Sequence, residues 1–134
     1  MVRELAEPLA TIQADRQQLR QLFLNLLTNA SDAMPLGGKL MVRAEGSRLE
    51  GAEAVMVEFA DTGKGIAVEN LEKIWEPFFT TKPEGRGTGL GLAICRRIVE
   101  EHGGRIEIES EMGKGTTVRI VFPATTNGAF ANLI

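Results

Sequence analysis

The stretch DRQQLRQLFLNLLTNASD, residues 15–32, is the clearest structural element in this sequence. Its apolar residues recur at intervals of three and four, which places them on one face of a helix; they are Leu19, Leu22, Phe23, Leu26, Leu27 and Ala30. Asp15 is a favourable N-cap, and Gln18 three residues later completes a pattern similar to a capping box. Pro35 and the glycine pair that follows it end the pattern, so we expect a helix over about residues 15–34.

The opposite face of this helix carries a polar stripe of Asn25, Asn29 and Asp32. A polar helix face is most often simply solvated. However, solvated faces usually carry Lys and Glu, and asparagine is a poor helix former. Two amides and one carboxylate offer oxygen atoms suited to Mg²⁺, which binds few protein ligands and keeps several waters. The stripe is therefore a candidate metal or ligand site.

The rest of the chain alternates short strands with helices. Alternation and apolar runs predict strands over residues 9–13, 40–45, 54–60, 105–110 and 116–122, and helices over residues 68–75 and 88–102. Strands 40–45 and 54–60 should pair as a hairpin around a polar loop at 46–53, and Gly103 with Gly104 should end the last helix.

This order of elements predicts an α+β two-layer sandwich. We expect a mixed, mainly antiparallel sheet that is covered on one face by about three helices. Residues 1–123 are assigned to one domain, and residues 124–134 to a flexible C-terminal tail.

Composition and charge exclude several classes of protein. The 134 residues carry a net charge of −3 with mixed signs, which is not a footprint for nucleic acid or anionic lipid. The single cysteine, Cys95, makes neither an internal disulfide nor a cysteine zinc site. No apolar run reaches the ~20 residues of a membrane span, and the first residues do not form a signal peptide. We therefore expect a cytoplasmic domain that contacts neither nucleic acid nor membrane.

Glycine is enriched, at about 11% against a usual ~7%, and it is clustered. Eight of the 15 glycines lie in three short boxes, namely Gly63 and Gly65; Gly85, Gly87, Gly89 and Gly91; Gly113 and Gly115. Neither a Rossmann fingerprint nor a P-loop fits their spacing. The second box opens a predicted helix, where unpaired N–H groups and the helix dipole suit a phosphate. Because glycine inside a helix costs about 1 kcal/mol relative to alanine, ligand binding explains this box better than stability does.

The only histidine, His102, lies at the end of a predicted helix, beside Gly103. We expect it to act as a cation that satisfies terminal carbonyls rather than as a catalytic group. A Ser/His/Asp hydrolase is therefore disfavoured.

Five motifs together resemble those of sensor histidine kinases, in the order of that family. The resemblance lies in an N box (residues 25–33, NLLTNASDA), a G1 box (61–66, DTGKGI), an F box (75–82, WEPFFTTK), a G2 box (87–92, GTGLGL) and a final glycine box (113–116, GKGT). It covers residues 5–123 and implies the Bergerat-type ATP-binding fold shared with gyrase, the Hsp90 chaperones and the MutL proteins.

The resemblance implies which residues lie at the adenine. Asp61 would accept a hydrogen bond from the exocyclic amine, and Thr116 would support Asp61 or reach the base through water. Gly63 and Gly65 would let the backbone close round the base, with Ile66 beside them.

The resemblance also implies how the phosphates and metal are held. Asn29 would ligate Mg²⁺ with Asn25 beside it, and the N–H groups of residues 87–91 would cradle the phosphates. Residues 78–86 would form a lid, from which Lys82 and Arg86 reach the β- and γ-phosphates. Asn29, Lys82 and Arg86 are the predicted catalytic residues. The predicted nucleotide site is completed by Asp32, Phe79, Thr80, Thr81, Gly87, Thr88, Gly89, Leu90 and Gly91.

Two departures from the family pattern refine this expectation. Many histidine kinases have lysine where this chain has Asp32, and that ending, with the FFTTK lid, resembles the nitrogen-regulator type. ATPase relatives have a water-activating glutamate where this chain has Asn25. An amide is no general base, so we expect transfer to a protein acceptor rather than hydrolysis.

No helical hairpin with an acceptor histidine precedes the N box in this sequence. We therefore expect an excised catalytic domain that does not autophosphorylate alone. It would phosphorylate a histidine on a missing dimerisation domain. That phosphohistidine would then pass its phosphoryl group to the receiver domain of a response regulator.

Two alternatives remain open. An anti-sigma-type serine kinase shares the ATP fold, but that subgroup typically lacks the F box. A nucleotide-dependent, non-catalytic interaction module would close its lid on ATP and alter partner binding without phosphoryl transfer, but the intact Asn29, Asp61 and glycine loop of residues 87–91 favour an active enzyme.

Overall fold

The computed structural model describes residues 2–5, 12–77, 79 and 91–124. The regular elements are β1 (Val2–Leu5), α1 (Arg16–Asp32), β2 (Leu40–Leu49), β3 (Ala52–Asp61), α2 (Gly91–Glu101), β4 (Arg105–Glu111) and β5 (Gly115–Pro123), with short 3-10 turns at Val68–Asn70 and Lys73–Trp75.

The five strands form one sheet in the order β1-β2-β3-β5-β4. β1 runs parallel to β2, and the other neighbouring pairs are antiparallel. The predicted mixed, mainly antiparallel sheet is therefore confirmed.

The first strand lies earlier than the sequence predicted. It spans Val2–Leu5, whereas residues 12–13 of the predicted strand are not in the sheet and residues 9–11 lie outside the described part of the chain. Ile12 and Ala14 are buried nonetheless. Their alternating pattern reflects packing of the segment that enters α1 rather than strand pairing.

The β2–β3 hairpin is longer than predicted. Its register runs from the pair Leu40 and Asp61 to the pair Leu49 and Ala52, so most of the predicted loop at 46–53 belongs to the strands. Only Glu50 and Gly51 turn, both with positive φ, as a two-residue hairpin requires. Polar residues in this stretch do not mark a loop, because one face of the hairpin end is exposed.

The predicted N-cap of α1 and the predicted glycine stop of α2 are both confirmed, whereas α1 ends at Asp32, earlier than the predicted residue 34. The Asp15 carboxylate accepts a hydrogen bond from the Gln18 N–H at 3.0 Å, which caps the N-terminus of α1. At the end of α2, Gly104 N–H donates to Val99 O (2.9 Å) and Gly103 N–H donates to Glu100 O (3.0 Å). This pair of bonds is the Schellman arrangement.

The helix predicted at 68–75 is wrong, because two separate 3-10 turns occupy this stretch. Among its apolar residues Ile74 is buried, whereas Val68 is 79% exposed. A continuous apolar face that could stabilise a longer helix is therefore missing. In the described residues two α-helices, rather than about three, cover the sheet.

The core lies between the two helices and one face of the sheet, as expected of two layers. It is formed by Ile12, Ala14, Leu19, Leu22, Leu26, Val55, Phe59, Cys95, Ile98, Val99, Val118, Ile120 and Phe122. Neither helix of the described ranges has the length and hydropathy needed to cross a bilayer.

His102 caps α2 but not as the predicted cation. Its Nε2 accepts a hydrogen bond from the Asp15 N–H at 3.1 Å, so Nδ1 must carry the proton that it shares with Ile98 O at 2.7 Å. A ring that accepts at one nitrogen and donates from the other is a neutral imidazole. The residue therefore ties the end of α2 to the start of α1.

Candidate functional site

A cavity of about 690 Å³ opens against the helix side of the sheet, a size typical of small-molecule sites. Its walls come from α1, the ends of β3, β4 and β5, the start of α2 and the loop after β3. The predicted site residues that line it are Asn25, Asn29, Asp32, Asp61, Gly65, Ile66, Phe79, Gly91 and Thr116.

The remaining predicted residues are placed differently. Gly63 is buried and does not line the cavity. The rest of the predicted set lies outside the described residues and stays a prediction, namely Thr80, Thr81, Lys82, Arg86, Gly87, Thr88, Gly89 and Leu90.

The Asp61 carboxylate is fixed by two backbone donors. Its Oδ1 accepts hydrogen bonds from Gly63 N–H at 2.8 Å and from Thr116 N–H at 3.2 Å. Asp61 ends β3 and faces Thr116 directly across the β3–β5 ladder. Among the described residues both bonds use Oδ1, so Oδ2 is available to a donor inside the cavity.

The glycines of the loop after β3 are needed for close backbone packing. A Cβ on Gly63 would lie 2.5 Å from Ala33 O at the end of α1, the oxygen that accepts from Lys64 N–H at 2.9 Å. Gly65 has a φ of +79°, and a Cβ there would collide with the Glu111 carbonyl. Both glycines therefore let this loop lie against its neighbours, whatever the cavity binds.

The other end of the cavity lies where α1 meets the first residue of α2. Asn25 Nδ2 donates to Gly91 O at 3.5 Å, and Asn25 Oδ1 accepts from Gln21 Nε2 at 2.8 Å. The Asn29 amide lies 3.9 Å from the position of a Cβ on Gly91. Asn25 thus bridges α1 and α2, and Asn29 lies beside the same residue of α2 at the cavity wall.

This end of the cavity carries oxygen donors from α1. Within residues 12–77, 79 and 91–124, no three His, Cys, Asp or Glu side chains gather as metal ligands. Asn29 and Asp32 line the cavity one turn apart on α1. Such a pair of oxygen donors fits Mg²⁺, which keeps its waters and takes phosphate oxygens as further ligands.

The F box contacts α2 directly. The guanidinium of Arg96 lies 5.4 Å from the centre of the Trp75 ring, in cation–π geometry. This contact fastens the second 3-10 turn to the helix, next to the cavity residue Ile74.

Sequence reasoning missed Ser110 and Lys64. Lys64 lines the cavity, whereas the Ser110 Oγ accepts from Ile66 N–H at 2.7 Å and lies 2.8 Å from Thr116 Oγ1. Ser110 pairs with Thr116 across the β4–β5 hairpin. The register of that short hairpin, counted back from the final glycine box, would have placed Ser110 opposite Thr116.

Comparisons with known proteins agree with this architecture. Residues 14–126 match the family described as histidine kinase-, DNA gyrase B-, and HSP90-like ATPase. The chain therefore belongs to this family of ATPases.

Curated relatives include sensor kinases. The chain is 46% identical over 123 residues to the sensor kinase CckA of Brucella abortus (strain 2308), covering 84% of this chain and 13% of that protein. It is 45% identical over 117 residues to the sensor histidine kinase ZraS of Salmonella typhimurium, covering 87% of this chain and 24% of that protein. The chain thus spans a quarter or less of the length of either relative.

Solved structures are similar as well. The nucleotide-free catalytic domain of histidine kinase ThkA superposes with a TM-score of 0.77 at 37% identity, covering 92% of this chain and 78% of that one. Full-length ShkA in complex with AMPPNP gives a TM-score of 0.78 at 32% identity, covering 99% of this chain and 26% of that one.

Proposed function

We propose that this domain binds Mg-ATP and donates the γ-phosphoryl group to a histidine on a separate phosphoacceptor domain, in two-component signalling. The observation that carries the proposal is the Asp61 carboxylate, held through Oδ1 by two backbone donors at the wall of the cavity. A fixed acceptor in a mostly apolar cavity selects a ligand that brings a donor to that point.

At the base end, the proposed donor is the exocyclic amine of adenine. Phe59, Ile108 and Val118 contribute apolar wall area beside Asp61, which suits the faces of an aromatic base. Guanine has a carbonyl oxygen in place of that amine, so two hydrogen-bond acceptors, the carbonyl oxygen and the carboxylate, would face each other. Asp61 therefore accounts for selection of adenine.

At the phosphate end, Asn29 and Asp32 would hold the Mg²⁺ that the nucleotide brings. When bound, the metal ion would offset charge on the β- and γ-phosphates. The chain's own contribution is to position these oxygens and to present the N-terminal end of α2, where helix N–H groups favour an anion. Lys82 and Arg86 are proposed to reach the same phosphates.

The position of Asn25 favours transfer over hydrolysis. Its amide bridges Gln21 and Gly91 and has no basic atom with which to activate water. Phosphoryl transfer depends mainly on positioning and charge neutralisation. We therefore propose that the acceptor histidine supplies the nucleophile from another domain, and that a receiver domain in the cytoplasm takes the phosphoryl group next.

The transfer step is tested by mixing this domain with a separately produced histidine-bearing domain of a related sensor kinase and radiolabelled ATP. We expect label on the acceptor that acid removes and alkali does not, since phosphohistidine is acid-labile. The matched control is the acceptor with its histidine replaced by alanine. Acid-stable label would identify a serine kinase, and tight ATP binding without label on any acceptor would identify an interaction module; either result would overturn the proposal.

A further inference from the structure

Three side chains stand in one row across the end of the sheet next to the cavity. Asp61 of β3 is opposite Thr116 of β5, and Thr116 is opposite Ser110 of β4. Directly paired residues of antiparallel strands project to the same face of a sheet and lie within contact distance. Asp61 and Thr116 line the cavity, whereas Ser110 does not. Any influence of Ser110 on a ligand must therefore pass through its neighbours.

The Ser110 hydroxyl has three partners, which fully use its hydrogen-bonding capacity. Its Oγ accepts from Ile66 N–H at 2.7 Å, donates to Gly115 O at 3.0 Å, and lies 2.8 Å from Thr116 Oγ1. A serine hydroxyl has one proton and two lone pairs. The amide of Ile66 takes one lone pair, and the Gly115 carbonyl, which can only accept, takes the proton.

This count fixes the direction of the third bond. Only a lone pair of Ser110 remains, so Thr116 must donate its hydroxyl proton to Ser110. Thr116 Oγ1 then presents only lone pairs to the cavity. Beside it, the Asp61 carboxylate is an acceptor too.

We propose that Ser110 is a positioning residue for base selection, because it turns the Thr116 hydroxyl into an acceptor towards the cavity. Two adjacent acceptors, Asp61 and Thr116, match an exocyclic amine with its two N–H donors. They disfavour a purine that has a carbonyl oxygen at the same place, because acceptors would then face an acceptor. Without Ser110, the Thr116 hydroxyl can rotate and donate to that oxygen, so discrimination against guanine falls. This inference rests on the proposed binding of an adenine nucleotide.

Calorimetric titrations with Mg-ADP and Mg-GDP test the inference through the ratio of their affinities. We expect Ser110→Ala to reduce the preference for ADP by roughly two- to tenfold, the range that one hydrogen bond supports. Ser110→Thr, which keeps a hydroxyl, should retain the wild-type ratio. If the alanine variant does not fold, Ser110→Cys provides the same comparison, because a thiol keeps the size but is a weak donor and acceptor.

A double-mutant cycle with Thr116→Val separates positioning from a purely structural role. In the Thr116→Val background no hydroxyl is left to orient, so Ser110→Ala should leave the ratio of the two affinities unchanged. The inference is overturned if Ser110→Ala weakens both nucleotides by the same factor, or if it shifts the ratio equally with and without the Thr116 hydroxyl. A wild-type domain that binds no ADP would instead refute the proposed function, and this inference with it.

Discussion

The Nε2 atom of His102 accepts a hydrogen bond from the backbone N–H of Asp15 at 3.1 Å, although the two residues are 87 positions apart. Asp15 caps α1, and His102 follows α2 and also bonds Ile98 O. The ring packs edge-on against Phe122, with its centre 6.2 Å away. One neutral imidazole thus joins both helices and the sheet.

His102→Ala should therefore lower the free energy of unfolding by about 1–3 kcal/mol, because it removes two hydrogen bonds and a ring contact. Urea denaturation measures the change. Glu101→Ala is the matched control, since Glu101 is exposed in the same helix end. Equal losses in the two variants would show that His102 does not link the helices.

Glu58 and Glu109 offer a direct comparison of a buried and an exposed ion pair. Both accept from the Arg119 guanidinium at 2.7 Å, but the Glu58 side chain is 11% exposed and that of Glu109 is 70% exposed. Arg43 also lies 3.4 Å from Glu58. The hydrogen bonds that Arg119 donates to Glu109 and Glu58 raise the pKa of Arg119 above its usual value.

Glu58→Ala should cost about 3 kcal/mol of stability, since it leaves two arginines without their buried partner. Glu109→Ala should cost less than about 1 kcal/mol, because water screens an exposed pair. Thermal and urea unfolding of the two variants give the difference. Similar losses of stability in the two variants would contradict the view that the buried ion pair contributes more than the exposed one.

Cys95 is fully buried, and burial raises the pKa of its thiol from 9.0 to about 11. The folded protein therefore holds this proton more tightly than the unfolded chain does. The resulting stabilisation is complete below about pH 9 and is lost as the pH rises through about 11. Iodoacetamide at pH 8 should label Cys95 only in denaturant, because the thiolate is the reactive form. Rapid labelling of the native protein would contradict this account.

Gly65 and Gly113 separate the effect of positive φ from that of close packing. Their φ angles are +79° and +82°, but a Cβ on Gly65 would collide with the Glu111 backbone, whereas a Cβ on Gly113 would meet nothing within 4 Å. Each alanine substitution costs about 1–2 kcal/mol for the left-handed conformation.

Gly65→Ala should therefore cost about 1–3 kcal/mol more than Gly113→Ala, since the loop has to move away from β4. It should also weaken nucleotide binding, because Gly65 and Ile66 line the cavity. Unfolding curves and calorimetry on both variants measure the two effects. The interpretation fails if both variants behave alike.

Local signals in the sequence were sufficient for much of the fold. The period of apolar residues and the Asp15 cap located α1, and alternation located the four antiparallel strands. Non-local pairing was not visible, because β1 is short and its place beside β2 depends on register with Met41–Ala44. The stretch at residues 68–75 was read as one helix because helix and 3-10 turns share local composition.

The candidate site was predictable where it consists of motifs. Asp61, Asn29 and Thr116 were found from five ordered boxes, and all three line one cavity. Ser110 was missed because its role comes from tertiary contacts to Ile66, Gly115 and Thr116 rather than from a motif. The neutral state of His102 was missed for the same reason, since its partner Asp15 lies far away in the chain.

A calorimetric titration of the Asp61→Asn variant with Mg-ADP is the most direct test of whether the cavity binds an adenine nucleotide. Gly63 N–H and Thr116 N–H hold an oxygen at the Oδ1 position, so the amide group of asparagine would point its N–H donors at the adenine amine. We predict affinity reduced by roughly ten- to a hundredfold or more, with unchanged thermal unfolding and wild-type affinity in the exposed control Glu107→Gln. Equal affinity in the wild type and Asp61→Asn would contradict the assignment of this cavity to an adenine nucleotide.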